Sequence, residues 1–154
     1  MGFIADIGKV TFTAIRLLQE TTAKREQTVR KVEKTLTQFR KELDKNRSIT
    51  SDLLDGGKLI DLKVNDPALV KTLALIKTTA MTEVNTSPRI YKSKLTKKIT
   101  TYLDLLTLTI NKIDYLKDLS TMSKKELTLL PTVRLTVRIK NINQNLEELI
   151  KKAG

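Results

Sequence analysis

The chain contains no cysteine and no histidine. Without cysteine it can form no disulfide, offer no thiol nucleophile and bind no metal through thiolate. Without histidine, Ser-His-Asp and Cys-His triads, imidazole general-base catalysis and the usual zinc sites are excluded too. Proline and glycine are scarce: Pro67, Pro88 and Pro131 are the only prolines, and there are 5 glycines. That scarcity, with 40% apolar and 30% charged residues, describes a folded, mostly helical protein rather than a disordered one. Aromatic residues are only 4%, so a core must be built from Leu, Ile, Val, Ala and the frequent Thr.

Long apolar runs are lacking as well. A transmembrane helix needs about 20 mostly apolar residues, and no window supplies them. The opening MGFIADIGKVTFTAIRLLQE has no basic start, and Asp6 and Lys9 interrupt its apolar run, which argues against a secretory signal. Gly2 invites a myristoylation reading, but that pattern wants Ser or Thr where Asp6 stands. These absences lead to the expectation of a cytoplasmic protein, and a chain of 154 residues is expected to make a single domain.

What the sequence has in excess is positive charge. Lys and Arg number 29 against 17 acids, a net charge of +12. Such a field favours contact with nucleic acid, an acidic lipid surface or an acidic protein; the plainer reading is a set of solvated Lys-rich faces.

Apolar residues recur at 3,4 spacing from Ile15 through Leu18, Val29, Val32, Leu36, Phe39 and Leu43, with Thr22 and Arg25 as polar intrusions. The pattern predicts one long first helix, in phase backward with Thr11, Gly8 and Ile4 and stopping near Asn46 to Ser48. Beyond it, Ser51 to Asp55 reads as a short helix, Asp55, Gly56 and Gly57 as a turn, and residues 58–64 as an extended connector. Asp66 followed by Pro67 is an N-cap with proline in the first turn, opening a helix with Leu69, Leu73, Ile76 and Ala80 on one face and an end near Val84 or Asn85. Ser87 and Pro88 repeat the device for a third helix carrying Leu95, Ile99, Tyr102, Leu106, Ile113 and Leu116, widened by Leu103 and Ile110. Ser123 and Glu126 form a capping box, and the last segment has Leu135, Ile139, Ile142, Leu146 and Leu149 in helical phase.

These elements predict an all-α protein: an antiparallel bundle of about four main helices, with a long first helix and an irregular connector. The competing expectation is a small α+β fold, because Val133, Leu135, Val137 and Ile139 alternate with polar residues and a strand at 132–140 would pair with one at 58–64.

Candidate chemistry is sparse. Asp114 and Asp118 share a helix face and Glu147 adjoins Glu148, but none sits in a metal-ligand pattern, so they read as solvated charges. DGGK at Asp55 to Lys58 lacks the spacing and the following Ser or Thr of a phosphate loop. No metal, cofactor or small-molecule substrate is implied, and the chain reads as non-catalytic.

The strongest positive run is SPRIYKSKLTKK, with Arg89, Lys92, Lys94, Lys97 and Lys98 and no acid between them. At a helix N-terminus these cations add to the positive end of the dipole, which costs stability and points to binding rather than folding. Arg134 and Arg138, with Lys140, form a further group, and Lys24, Arg25, Arg30, Lys31 and Lys34 form one diluted by Glu26 and Glu33. Such groups neutralise phosphates without reading bases. Tyr91 and Tyr102 are expected in the core, not as stacking platforms.

Phe3, Ile4, Ile7, Val10 and Phe12 hold more apolar surface than a helix end leaves in water, so a protein partner, a second copy of the chain or a membrane interface is expected to cover them. Residues 1–20 resemble, loosely, short amphipathic membrane-active bacterial peptides that begin Met-Gly and continue with Ile, Ala and Lys-Val. That resemblance implies the membrane-surface alternative, whereas the balance of Asp6 and Glu20 against Lys9 and Arg16 favours burial against protein.

Overall fold

The computed structural model describes residues 22–86, 97–130 and 134–153. Within them every regular element is helical. The six α-helices are α1 (Thr22–Leu54), α2 (Pro67–Leu73), α3 (Thr79–Thr86), α4 (Lys97–Thr121), α5 (Lys124–Thr128) and α6 (Leu135–Ala153), with a single 3-10 turn at Asp55–Gly57. The protein is all-α, and no described helix is long and apolar enough to cross a membrane.

The α+β alternative fails on both of its segments. Residues 58–65 fold into successive tight turns, with Ile60 N–H donating to the Gly57 carbonyl and Leu62 N–H to that of Leu59. Residues 135–140 open α6, where Leu135, Ile139 and Ile142 are buried while Val137 stays exposed. The alternation around Val137 is therefore a coincidence of phase, overruled by the 3,4 stripe that runs on to Leu149.

The first helix does not stop near Asn46. It continues to Leu54: of the residues expected to end it, Asn46 faces inward and is satisfied there, while Arg47 and Ser48 stay exposed on the outer side of the helix. Asn46 is fully buried, donating from Nδ2 to the Lys77 carbonyl at 2.7 Å and accepting from the Lys77 N–H at 3.2 Å. One turn on, the equally buried Thr50 hydroxyl donates back to the Asn46 carbonyl. The stripe thus runs Leu36, Phe39, Leu43, Asn46, Thr50, keeping its spacing while its chemistry turns polar. α1 ends where expected of the glycines, since Gly56 and Gly57 take φ of 69° and 68°, a region side chains with a Cβ avoid.

Asp66 caps α2 as its sequence predicts, accepting from the Ala68 N–H at 3.1 Å with Pro67 in the first turn. The expected single helix from there to Val84 is instead two, α2 and α3, separated at residues 74–78 without proline or glycine. The break is made from outside. Asn46 holds both backbone groups of Lys77, Lys117 Nζ reaches the Ile76 carbonyl at 2.7 Å, and the Glu42 carboxylate accepts the N–H groups of Ala80 and Met81 at 2.9 Å each. Leu69, Leu73, Ile76 and Ala80 are buried across the break, so the predicted face survives it. Ser123 caps α5 through the Glu126 N–H, but that helix is short and α6 begins separately at Leu135.

The packing follows from the buried stripes. α1 packs on α3 and α6, and α4 packs on α2, α3 and α6. Thr35 bonds to Glu83 while Asn46 bonds to Lys77, which runs α1 and α3 in opposite directions. α4 and α6 are also antiparallel: the Tyr102 hydroxyl donates to the Leu149 carbonyl, and Lys112 Nζ to Asn141 Oδ1. Asn143 ties α6 to α1, donating from Nδ2 to Thr50 Oγ1 at 2.8 Å and Ser51 Oγ at 2.9 Å.

Candidate polyanion-binding face

The predicted cations fall into separate places. Arg89, Lys92 and Lys94 lie outside the described residues, as do Phe3, Ile4, Ile7, Val10 and Phe12. Lys97 and Lys98 open α4. The Tyr102–Leu149 bond puts that end of α4 beside the C-terminal end of α6, which closes with Lys151 and Lys152. Arg138 sits toward the opposite end of the same helix pair, near Lys112 and Tyr115, with Arg134 one turn before it in the chain, just ahead of α6. From Lys97 to Tyr115 the helical rise amounts to about 27 Å, so one helix pair carries a cationic group at each end.

The distal group has geometry that the sequence does not announce. α4 contributes Asn111, Lys112 and Tyr115, α6 contributes Arg138, Asn141 and Ile142, and between them lies a cleft of about 280 Å³. The Arg138 guanidinium stands over the Tyr115 ring, 5.0 Å from its centroid. Its Nε is shielded from solvent without a hydrogen-bond acceptor among the described residues. Lys112 Nζ donates to Asn141 Oδ1 at 3.0 Å and remains near the cleft surface. Tyr115 is 45% exposed, in contrast to the wholly buried Tyr102. Lys112, Tyr115 and Asn141 were not anticipated as site residues. The i, i+3 spacing of Lys112 and Tyr115 is visible in the sequence, but their meeting with Arg138 depends on the register of two distant helices.

Electrostatic pairing is thin. Among the described residues the one salt bridge is between Lys152 Nζ and Glu148 Oε1, at 3.1 Å on adjacent turns of α6. Lys112, Arg134 and Arg138 therefore have no carboxylate within ion-pair distance among those residues. Asp114 and Asp118 are exposed, and Glu147 and Glu148 face solvent on α6. No cluster of three or more acidic side chains with metal-binding geometry occurs among the described residues.

Tyr102 is a core residue, as its stripe position predicts. Burial pushes its phenol well above the ordinary value, and the Arg40 guanidinium nearby pulls weakly the other way. The phenol keeps its proton and donates to Leu149.

A second cleft, of about 360 Å³, lies between the connector and α5, lined by Leu62, Val64, Leu127 and Leu135 with Lys63 and Lys124 at its edge. DGGK makes no phosphate loop, since Lys58 and Leu59 continue into turns rather than a helix N-terminus.

Comparison with protein-family models, with curated proteins and with solved structures yields no match to this chain. The class it defines is therefore that of its fold alone, an all-α protein with a basic surface.

Proposed function

We propose that the protein is a non-catalytic, cytoplasmic accessory or assembly subunit, a four-helix bundle whose basic face binds nucleic acid or another polyanion without sequence specificity. The observation that carries this reading is unpaired positive charge: the chain carries a net +12, and Lys112, Arg134 and Arg138 have no carboxylate within ion-pair distance among the described residues. Cations that neither pair nor cap a helix C-terminus add self-repulsion to the folded state, and a polyanion relieves it. The contacts of α1 with α3 and α6, and of α4 with α3 and α6, support the bundle part of this reading.

In this reading Arg89, Lys92, Lys94, Lys97 and Lys98 form the proximal phosphate-binding group, and Arg134 and Arg138 the distal one. Lys97 and Tyr115 lie about 27 Å apart along α4, which corresponds to about eight nucleotides of one strand at the duplex rise of about 3.4 Å. Affinity for oligonucleotides should therefore climb with length until about that size and then level off. Neutralising Lys94, Lys97 and Lys98 together should weaken binding to all sequences alike and flatten its salt dependence. An unchanged affinity would remove these residues from the site.

Phe3, Ile4, Ile7, Val10 and Phe12 are assigned to assembly with a protein partner or a second copy of the chain. Light scattering should then show an oligomer that the combined Ile4→Asp and Ile7→Asp substitutions dissociate. If these residues serve a membrane instead, flotation with anionic liposomes will depend on residues 1–18 while the scattering mass stays that of a monomer.

A further inference from the structure

The geometry points to the cleft between α4 and α6 as a stacking subsite for one unpaired nucleotide, which gives the protein a preference for single-stranded over double-stranded nucleic acid. This rests on the polyanion-binding reading and deepens it.

Three features of the cleft carry the inference. Its aromatic residue is accessible: Tyr115 is 45% exposed, with the Arg138 guanidinium over the ring at 5.0 Å from its centroid. Arg138 and Lys112 bring two cations to the same cleft, and neither has a carboxylate partner among the described residues. The Asn111 and Asn141 amides complete the lining, so donors and acceptors are both present around the ring.

A bare polyanion such as heparin uses only the cations. A single-stranded nucleic acid uses the ring as well, because every base has an aromatic face and its phosphate follows within one residue. A duplex cannot present that face without breaking its own stack. The volume of about 280 Å³ suits one nucleotide unit and is small for a larger ligand. The Arg138 Nε, shielded and without an acceptor, makes the guanidinium responsive to an incoming phosphate oxygen. A turn of its terminal torsions trades the ring contact for a charge-assisted hydrogen bond and frees more of the Tyr115 face. The structural alternative is that Arg138 and Tyr115 merely clip α4 to α6, a contact of modest strength at an exposed site.

The chain offers a convenient signature, since it has no Trp and only three Tyr. Binding of an oligo-dT strand of about twelve nucleotides, chosen to exceed the eight-nucleotide spacing derived from the phosphate repeat, should quench part of the tyrosine emission of the full-length protein. That quenching should vanish in Tyr115→Phe while the affinity, read by fluorescence anisotropy of a labelled strand, is retained. Tyr115→Leu should weaken single-strand binding about tenfold and leave heparin binding and far-ultraviolet circular dichroism as in the wild type. The paired duplex should bind more weakly than the strand in the wild type, and Tyr115→Leu should leave its affinity unchanged.

Equal binding of strand and duplex, or full single-strand affinity in Tyr115→Leu, overturns the subsite while leaving the broader polyanion reading intact. An equal loss of heparin and strand binding in Tyr115→Leu assigns the ring to structure and overturns it too. If the wild type binds neither heparin nor any oligonucleotide, the broader reading falls and the subsite with it.

Discussion

Replacing Glu42 by alanine should destabilise the protein by about 2 to 3 kcal/mol, because one side chain on α1 caps the start of a different helix. α3 is 8 residues long and has no acid in its own first turn. A helix of that length does not hold itself together in water. Its first-turn N–H groups at Ala80 and Met81, which have no acceptor within the helix, are instead taken by the two oxygens of Glu42, each at 2.9 Å. A hydrogen bond to a charged acceptor contributes about 1.5 kcal/mol or more, and a lost cap alone costs about 1 kcal/mol. Glu42→Gln keeps one acceptor oxygen and loses the charge, so its cost should be near 1 kcal/mol.

Urea unfolding followed by circular dichroism measures both variants, and at about 2 to 4 °C per kcal/mol the alanine variant should melt roughly 4 to 12 °C lower. Hydrogen exchange supplies the local test: the amides of Ala80 and Met81 should lose protection well before those of Leu106 and Leu146. An alanine variant within 0.5 kcal/mol of the wild type, on the scale of an ordinary surface substitution, would refute the capping argument. Unchanged exchange at Ala80 and Met81 would refute it too.

Asn46→Ala should cost about 2 to 3 kcal/mol, since it strips both hydrogen bonds from the Lys77 backbone inside the core; the midpoint of urea unfolding reads the loss. Tyr102→Phe should cost about 1 kcal/mol at neutral pH through the bond to Leu149. Burial raises the folded-state pKa of Tyr102, so the unfolded chain releases that proton first, from about pH 10. Stability contributed by the phenol is complete below that pH and is lost as pH rises toward the folded value. The gap between wild type and Tyr102→Phe in alkaline melts should therefore narrow above about pH 10, and a constant gap would contradict the burial argument. Gly56→Ala should cost about 1 kcal/mol through backbone strain alone, because nothing lies within 4 Å of the added Cβ at φ +69°. Chemical denaturation checks it.

Leu36, Phe39 and Leu43 on α1, and Leu135, Ile139, Ile142, Leu146 and Leu149 on α6, are buried as their spacing predicts, because apolar side chains at 3,4 intervals have one way to leave water. Asp66 with Pro67, and Ser123 with Glu126, work as caps because every atom of the device lies within one turn. What misleads is polarity in a core position. Asn46 carries stop-like chemistry at stripe-like spacing, and only its partner on a distant segment decides between the two. The gap between α2 and α3 is legible only once Glu42 is known to face it. The candidate face divides in the same way: Arg138 stands out by charge, whereas its pairing with Tyr115 follows from the antiparallel register of α4 and α6.

These distinctions bear on function, because a register that places Arg138 over Tyr115 also sets the distance between the two cationic groups. In the proposed reading a polyanion spanning both follows the α4–α6 pair, and its binding should depend on phosphate count rather than on base order.

The salt dependence of binding tests that claim most directly. Single-stranded oligonucleotides of one length and several sequences should show log K falling linearly with log salt, along one common slope. Affinity that stays flat as salt rises, or that differs strongly between sequences of equal length, would contradict the account.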